Sequence, residues 1–316
     1  MRILGIVGSR RRLGNTEIMV KEALKGAREE GADIAILRMS DLYVRECNGC
    51  EACVIKGERC VLNDDMDFFE EQLNASDGLI IGGVCYDGAP LGIFKTVSDR
   101  LHGLSSWLER TEGEKSNKKL AITIGAAGWR HLQYGIIPLL NRFTTTAGFD
   151  VLASFVGISI GPGEVLLPES EGIVMELNHL GRDLIYALKG EEKRLSEGVH
   201  QLRIFDPNAK GGKLFTEQNC CPHCFSTTFQ LVSPEKLSCA FCHYTTVHVQ
   251  PKGDKIGLRF EAMTEEQILQ MAKHHLEEEV RPSGPRFLRR REEIEPRRVL
   301  YKDIGVPWLK PPIGKG

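Results

Sequence analysis

Cys47, Cys50 and Cys53 stand at steps of three and are followed closely by Cys60. Four thiolates in one short stretch can wrap a compact inorganic group, either an iron–sulfur cluster or a tetrahedral zinc ion. A second set lies far along the chain. It comprises Cys220-Cys221-Pro222-His223-Cys224 and Cys239-Ala240-Phe241-Cys242, with fourteen residues between Cys224 and Cys239. Two C-x-x-C knuckles at that separation mark a tetrahedral site, so Cys221, Cys224, Cys239 and Cys242 are its expected ligands. Cys220 is then a spare thiol or an alternative ligand.

Of ten cysteines in 316 residues, only Cys85 lies outside these two clusters. Such clustering in a chain that opens on a strand-like Met1-Arg2-Ile3-Leu4-Gly5-Ile6-Val7-Gly8 favours metal or redox sites over a disulfide framework. A net charge of -2 gives no global pull toward nucleic acid or membrane. No apolar run approaches the roughly 20 residues of a membrane helix, and a cytoplasmic protein is expected.

The elements that must position the first cluster alternate strand and helix. Residues 2–8 form an apolar strand, then a polar turn, Gly8-Ser9-Arg10-Arg11-Arg12-Leu13-Gly14-Asn15-Thr16, then a helix with Ile18, Met19, Ala23, Leu24 and Ala27 on one face and Gly31 as its stop. Small residues, hydroxyls, arginines and a helix N-terminus suit that turn to an anion, although it matches neither the dinucleotide nor the Walker glycine pattern. A second strand, 33–38, leads into the cysteine loop. Asn63-Asp64-Asp65-Met66 then starts a helix running to about Asn74, followed by a fully apolar strand, 78–84, of the kind buried in parallel sheets. Further units are a helix through Phe94, Val97, Leu101 and Leu104, a strand at 119–124, another helix, a strand at 150–156 and a helix over 171–189. Five strand–helix units predict an α/β fold with a parallel sheet covered on both faces. Ligands of such sheets bind beyond the carboxyl ends of the strands. Segments 9–16, 84–90 and 125–131 sit there, one suited to phosphate and two carrying an aromatic, Tyr86 and Trp129. Together they could hold a flat phosphorylated ring cofactor.

Gly8-Ser9-x-Arg11-x-x-Gly14-Asn15-Thr16 resembles the phosphate loop of the flavodoxin-like NADPH-dependent FMN reductases. Cys47-x-Gly49-Cys50-x-x-Cys53, Gly57-x-x-Cys60 and Asp64-Asp65-Met66 are similar to the compact cysteine motif of the iron–sulfur flavoproteins in that superfamily. Asp77-Gly78-Leu79-Ile80-Ile81, Tyr86 and Lys95-x-x-x-Asp99-Arg100 continue the pattern, which spans roughly residues 1–190. The resemblance implies a flavodoxin-like doubly wound sheet of five parallel strands and an FMN held by three loops. Ser9, Arg11, Asn15 and Thr16 would take the phosphate. Val84, Cys85, Tyr86 and Asp87 would border the isoalloxazine, with Gly125 to Gly128 on the other side. The family usually places a proline before the residue preceding the tyrosine; here Val84 and Cys85 occupy that stretch, so the loop's shape is expected to differ. Cys47, Cys50, Cys53 and Cys60 would hold a [4Fe-4S] cluster, with zinc the next choice and vestigial cysteines a third. In the flavodoxin-like order strand two lies beside strand one, so the cysteine loop is expected to leave the sheet at the flavin edge, close enough for electron exchange.

The expected domains are 1–200, the FMN-binding unit; 201–255, a zinc-ribbon-like module; and 256–316, a helix with a basic, proline-rich tail. Asp206 to Lys213 reads as a linker, and residues 227–232 and 244–249 alternate as hairpin strands do. A rubredoxin-like iron site would offer the same sulfurs, but Phe225 and His243 replace the glycine usual after each second cysteine, which favours zinc. Thr264-Glu265-Glu266-Gln267 matches a capping box opening a helix to about Val280. The arginines of 284–316 suit an acidic partner, or the tail drapes over its own fold.

The expected activity is an oxidoreductase passing electrons between a donor (ferredoxin or NAD(P)H) and an acceptor through FMN and the cluster. Tyr86 and His131 are the candidate proton donors. No membrane or nucleic-acid partner is expected, and a homo-oligomer, dimer or tetramer, is. Two alternatives remain: a redox-sensing regulatory or nucleic-acid-binding protein that uses the ribbon and tail, and a cluster-free NAD(P)H-dependent flavin or quinone reductase.

Overall fold

The structure is a computed structural model. Its described residues are 1–50, 59–101, 119–129, 135–197 and 199, then 202–206, 213–215, 229–233, 235–239, 245–252, 255–262, 274, 278, 286, 289–305 and 309. Cys53, His131, Cys220, Cys221, Cys224, Cys242, most of the 264–280 helix and the core of the 206–213 linker lie outside them.

Strand and helix alternate as the apolar runs dictate: β1 (Arg2–Gly8), α1 (Asn15–Glu29), β2 (Asp33–Arg38), α2 (Met66–Asn74), β3 (Gly78–Val84), α3 (Ile93–Leu101), β4 (Leu120–Ala127), α4 (Ile136–Thr146), β5 (Asp150–Ile158) and α5 (Glu171–Leu188). The strands pair in the order β2-β1-β3-β4-β5, all parallel. This is the doubly wound, flavodoxin-like order, with its reversal at β1 and β3. Runs such as Gly78–Val84 carry no polar face because both faces of the sheet are covered. On one face Ile18, Met19, Leu24 and Ala27 of α1 and Ile173, Leu177, Leu180 and Leu184 of α5 form one core. On the other, Phe69, Phe94, Leu101 and Phe143 pack from α2, α3 and α4.

Helices α1 and α5 approach closely enough to exclude a side chain at the contact. A Cβ on Gly26 would collide with the Asn178 carbonyl, and one on Gly181 with that of Ala23. Glycine lowers intrinsic helicity, so its presence mid-helix at both positions reflects this packing.

The sheet exceeds the expected five strands. Two more lie past residue 200: β6 (Leu202–Phe205) joins β5 in parallel and β7 (Lys213–Phe215) closes the edge antiparallel to β6. Arg203 sits inside β6 because Glu176 of α5 pairs with it and the Glu197 carbonyl accepts from it at 2.9 Å. The segment read as a linker therefore joins two strands of the main sheet.

Farther on, β8 (Phe229–Ser233), β9 (Lys236–Cys239), β10 (Thr245–Lys252) and β11 (Lys255–Ala262) form a separate antiparallel sheet ordered β11-β10-β9-β8. Strands β8 and β10 fall on the alternating stretches 227–232 and 244–249, whereas β9 lies between them and β11 runs past residue 255.

The arginine-rich tail is not extended throughout. Residues 291–299 form α6 (Arg291–Val299), with Ile294 fully buried against the main domain. Arg286 and Arg290 pair with Glu164 and Glu169 in the segment between β5 and α5, and Arg297 donates to the Leu166 carbonyl. Beyond the helix, the Tyr301 carbonyl accepts from Lys21 of α1 at 2.6 Å, and the Leu309 amide donates to the Ile36 carbonyl of β2 at 2.9 Å. The tail thus drapes over its own fold. Among the described residues no helix is long and apolar enough to cross a membrane.

Candidate functional site

Three segments leave the carboxyl edge of the central strands side by side: 9–14 after β1, 39–65 after β2 and 85–92 after β3. Their shapes are fixed by a small number of buried polar contacts.

In the first, Ser9 is buried and its Oγ accepts from the Arg11 amide at 3.3 Å. Arg10, Arg11 and Arg12 are exposed. Gly14 precedes α1, and no side chain caps the first turn. Uncapped amides at a helix N-terminus, next to flexible guanidinium groups, are suited to a phosphate. The turn is braced from behind by Arg38, the last residue of β2, whose guanidinium donates to the carbonyls of Ser9 (2.8 Å) and Arg11 (3.3 Å). It also pairs at 2.7 Å with buried Glu17, which takes the Leu13 amide at 2.6 Å and faces Lys21 at 3.1 Å. Burial lowers the Lys21 pKa against the opposing pull of Glu17.

Asn15 does something other than the sequence suggests. Its side chain donates to the Gly161 carbonyl at 2.8 Å and accepts from the Gly163 amide at 2.9 Å, locking the segment after β5 to the first turn. Only its backbone remains for a phosphate. Thr16 is buried, its methyl close to Gly82.

After β3, Tyr86 and Ala89 exchange backbone hydrogen bonds at 2.8 and 3.0 Å across Asp87 (φ 49) and Gly88 (φ 77). Two consecutive positive φ angles make this a tight two-residue hairpin turn in the Asp-Gly sequence that favours it. The Cys85 amide donates to the Ala126 carbonyl at 2.8 Å, joining this loop to the end of β4. Burial pushes the Cys85 thiol up to about 12, so it stays protonated at neutral pH. The Tyr86 side chain stands about half exposed at the rim.

The two glycines expected beside a cofactor differ. A Cβ on Gly125 would press on Ile136 at 2.9 Å and Val156 at 3.0 Å, so Gly125 serves packing against α4 and β5. A Cβ on Gly128 would meet nothing closer than the Ile160 carbonyl at 3.9 Å, leaving room for a flat group. Trp129 is buried.

The base of the cysteine loop is clamped. Asp65 accepts from the Tyr43 amide at 2.6 Å and the Tyr43 carbonyl accepts from the Asp65 amide at 3.0 Å. Asp64 accepts from the amides of Arg45 (2.8 Å) and Met66 (3.2 Å) and pairs with Arg100 of α3, which also donates to the Arg45 carbonyl at 3.3 Å. Burial alone would raise the Asp64 pKa, but Arg100 and these amides outweigh it and hold the carboxyl below its ordinary value. Cys47 and Cys50 are exposed and Cys60 half-buried; none of these, nor Cys85, is in a disulfide. Cys53 lies outside the described residues, as do three of the four knuckle cysteines; Cys239 ends β9. Among the described residues no three metal-ligating side chains converge, so neither four-cysteine set is tested by the geometry.

The loop's donor set nonetheless fits an anionic iron–sulfur group. The Arg100 side chain is buried, and its Nε and Nη2 atoms, the Cys60 side chain apart, lack a hydrogen-bond partner among the described residues. Buried donors of this kind suit an anionic group held on that sulfur.

Sequence reasoning missed Arg38 and Glu17. Arg38 looked like a strand end, and Glu17 and Lys21 fell on what the helical periodicity made the polar face. A basic residue at the carboxyl end of a strand flanking β1 was the available signal.

Residues 1–160 match the NADPH-dependent FMN reductase family. An iron–sulfur flavoprotein of Methanosarcina thermophila is 32% identical over 168 residues, covering 52% of this chain and 85% of that protein. One from Archaeoglobus fulgidus is 29% identical over 165 residues, covering 52% of this chain and 72% of that one. The chain spans about half the length, 51% and 52%, of two Methanocaldococcus jannaschii iron–sulfur flavoproteins that it matches. In fold it is similar to a solved flavone reductase, with a TM-score of 0.50 at 20% identity over 96% of this chain and 97% of that one.

Proposed function

Because the chain belongs to the NADPH-dependent FMN reductase family, we propose that it is an FMN-dependent oxidoreductase whose cysteine loop carries a [4Fe-4S] cluster beside the flavin. Bound FMN would supply the hydride and one-electron chemistry; the protein's part is binding, orientation and electrostatics. Ser9, Arg11, Thr16 and the uncapped amides of Asn15 and its neighbours would take the phosphate, with Arg38 holding the loop in shape from behind. Asn15 would hold the 161–163 segment closed over that site. Val84, Cys85, Tyr86 and Asp87 would border the ring on one side and Gly128 on the other, the Asp87-Gly88 turn fixing the ring-side backbone. Protonated Cys85 would contribute bulk without charge. Tyr86, at the rim, and His131 are the proposed proton donors.

Cys47, Cys50, Cys53 and Cys60 would ligate the cluster as thiolates. Cys221, Cys224, Cys239 and Cys242 would hold a structural zinc. The proposed donor is NAD(P)H or a reduced carrier such as ferredoxin, and the active form a homo-oligomer.

The observation that carries this reading is the strand order. β2 and β3 flank β1, so the phosphate-type turn, the cysteine loop and the Tyr86 loop leave one edge as neighbours. A metal group on the cysteine loop would stand beside the phosphate-type turn, one strand removed from the Tyr86 loop, at the same edge of the sheet as the ring.

The test is rapid anaerobic mixing of purified protein with NADPH, NADH or reduced ferredoxin while flavin absorbance is followed. Bleaching within seconds by at least one donor is expected. Flavin-loaded protein that none of the three reduces overturns the oxidoreductase reading.

A further inference from the structure

Arg100 is the last residue but one of α3, yet its guanidinium belongs to the cysteine loop. It reaches Asp64, four residues after Cys60, and the carbonyl of Arg45, two before Cys47. One cation thereby closes both legs of the loop. The Asp64 pairing and the Arg45 bond use Nη1 alone. Nε and Nη2 are buried and, the Cys60 side chain apart, have no partner among the described residues, although buried donors are costly to leave unmade. An arginine serving only as a strut would turn its second edge to a carbonyl or to solvent. The Cys60 side chain also lies within hydrogen-bonding reach of the guanidinium.

Resting on the reading that the loop holds an iron–sulfur cluster, we propose that Arg100 is a positioning residue that also sets that cluster's reduction potential. A cluster gains negative charge on reduction. A buried cation with unused N–H donors beside a ligand sulfur stabilises the reduced state and raises the potential. Asp64 opposes it, so the potential reflects the balance of the two.

The test is an anaerobic redox titration of the full-length, cluster-loaded protein, followed by electron paramagnetic resonance, with iron and sulfide assayed in parallel. Arg100→Gln is expected to keep its iron and lower the reduced-to-oxidised ratio at a fixed poise at least tenfold, a negative shift of about 59 mV for one electron. Arg100→Lys, which keeps the charge, is expected to stay within about threefold of wild type, a range set below that tenfold step. Should Arg100→Gln not fold, Asp64→Asn carries the test with the opposite sign, a raised ratio. Unchanged potentials in iron-loaded variants overturn the role of Arg100 and leave the cluster reading standing. Absence of iron from the wild type itself overturns the cluster reading, and this proposal with it.

Discussion

Arg100 and Asp64 form an ion pair whose side chains are 1% and 0% exposed, between α3 and the segment that returns from the cysteine loop. Removing one partner of so buried a pair leaves the other charge without compensation, which is far more costly than losing a surface bridge.

Asp64→Ala is therefore expected to destabilise the protein by about 3–5 kcal/mol in urea unfolding followed by circular dichroism. It also removes the acceptor that holds the Arg45 and Met66 amides. A loss below about 1 kcal/mol, the range of exposed pairs, would show that the clamp is dispensable.

The α1–α5 contact predicts a contrast between two glycines. Gly181→Ala drives a methyl into the Ala23 carbonyl and is expected to cost at least about 1–3 kcal/mol through overpacking. Gly92→Ala, at a position where a Cβ meets nothing within 4 Å, is expected to change stability by less than about 0.5 kcal/mol. Equal melting temperatures for the two variants would contradict the close helix approach.

Gly125 and Gly128 should separate packing from cofactor space. Gly128→Val enters open space, so fluorescence titration of apo-protein should show FMN affinity reduced at least tenfold, about 1.4 kcal/mol, with little change in thermal stability. Gly125→Val meets Ile136 and Val156 and should lower the melting temperature first. If Gly128→Val binds FMN as tightly as wild type, the ring does not lie against that glycine.

Glu70 of α2 supplies a pH dependence. Burial, then the neighbouring Asp67, raises its pKa from 4.5 to about 7, against the pull of Arg59 and Arg100, while Asp64 adds to the rise. The folded state therefore holds a proton that the unfolded chain has released. The stability associated with it is complete below pH 4.5 and is lost as pH rises through about 7. Glu70→Gln should flatten the wild-type decline in unfolding free energy across that window. Identical slopes in the two proteins would remove Glu70 as its source.

Much of the core was legible in the sequence because its signals are redundant. Strand 78–84 is apolar on both faces, and the 171–189 helix repeats Ile173, Leu177, Leu180, Leu184 and Leu188 before stopping at Gly190. The cysteine loop and the phosphate-type turn announced themselves by residue type and spacing. What escaped had its signal cancelled by a partner distant in sequence. Arg203 disguised β6 because its charge is met by Glu176 of α5. Lys21, in a helix read as amphipathic, is buried because residue 301 of the tail covers it. Helix α6 buries Ile294 amid arginines and Pro296, too little apolar periodicity to reveal a helix. Asn15 kept its predicted place but turned its side chain to Gly161 and Gly163, a contact no local pattern encodes.

Whether the 47–60 loop carries a cluster is read directly from the iron, acid-labile sulfide and flavin content of anaerobically purified protein, wild type against Cys60→Ala. The wild type is expected to carry about four iron atoms, about four sulfides and about one FMN per chain. The variant should lose the iron and sulfide while keeping its FMN and any zinc. Iron that survives Cys60→Ala undiminished would contradict a cluster on the 47–60 loop.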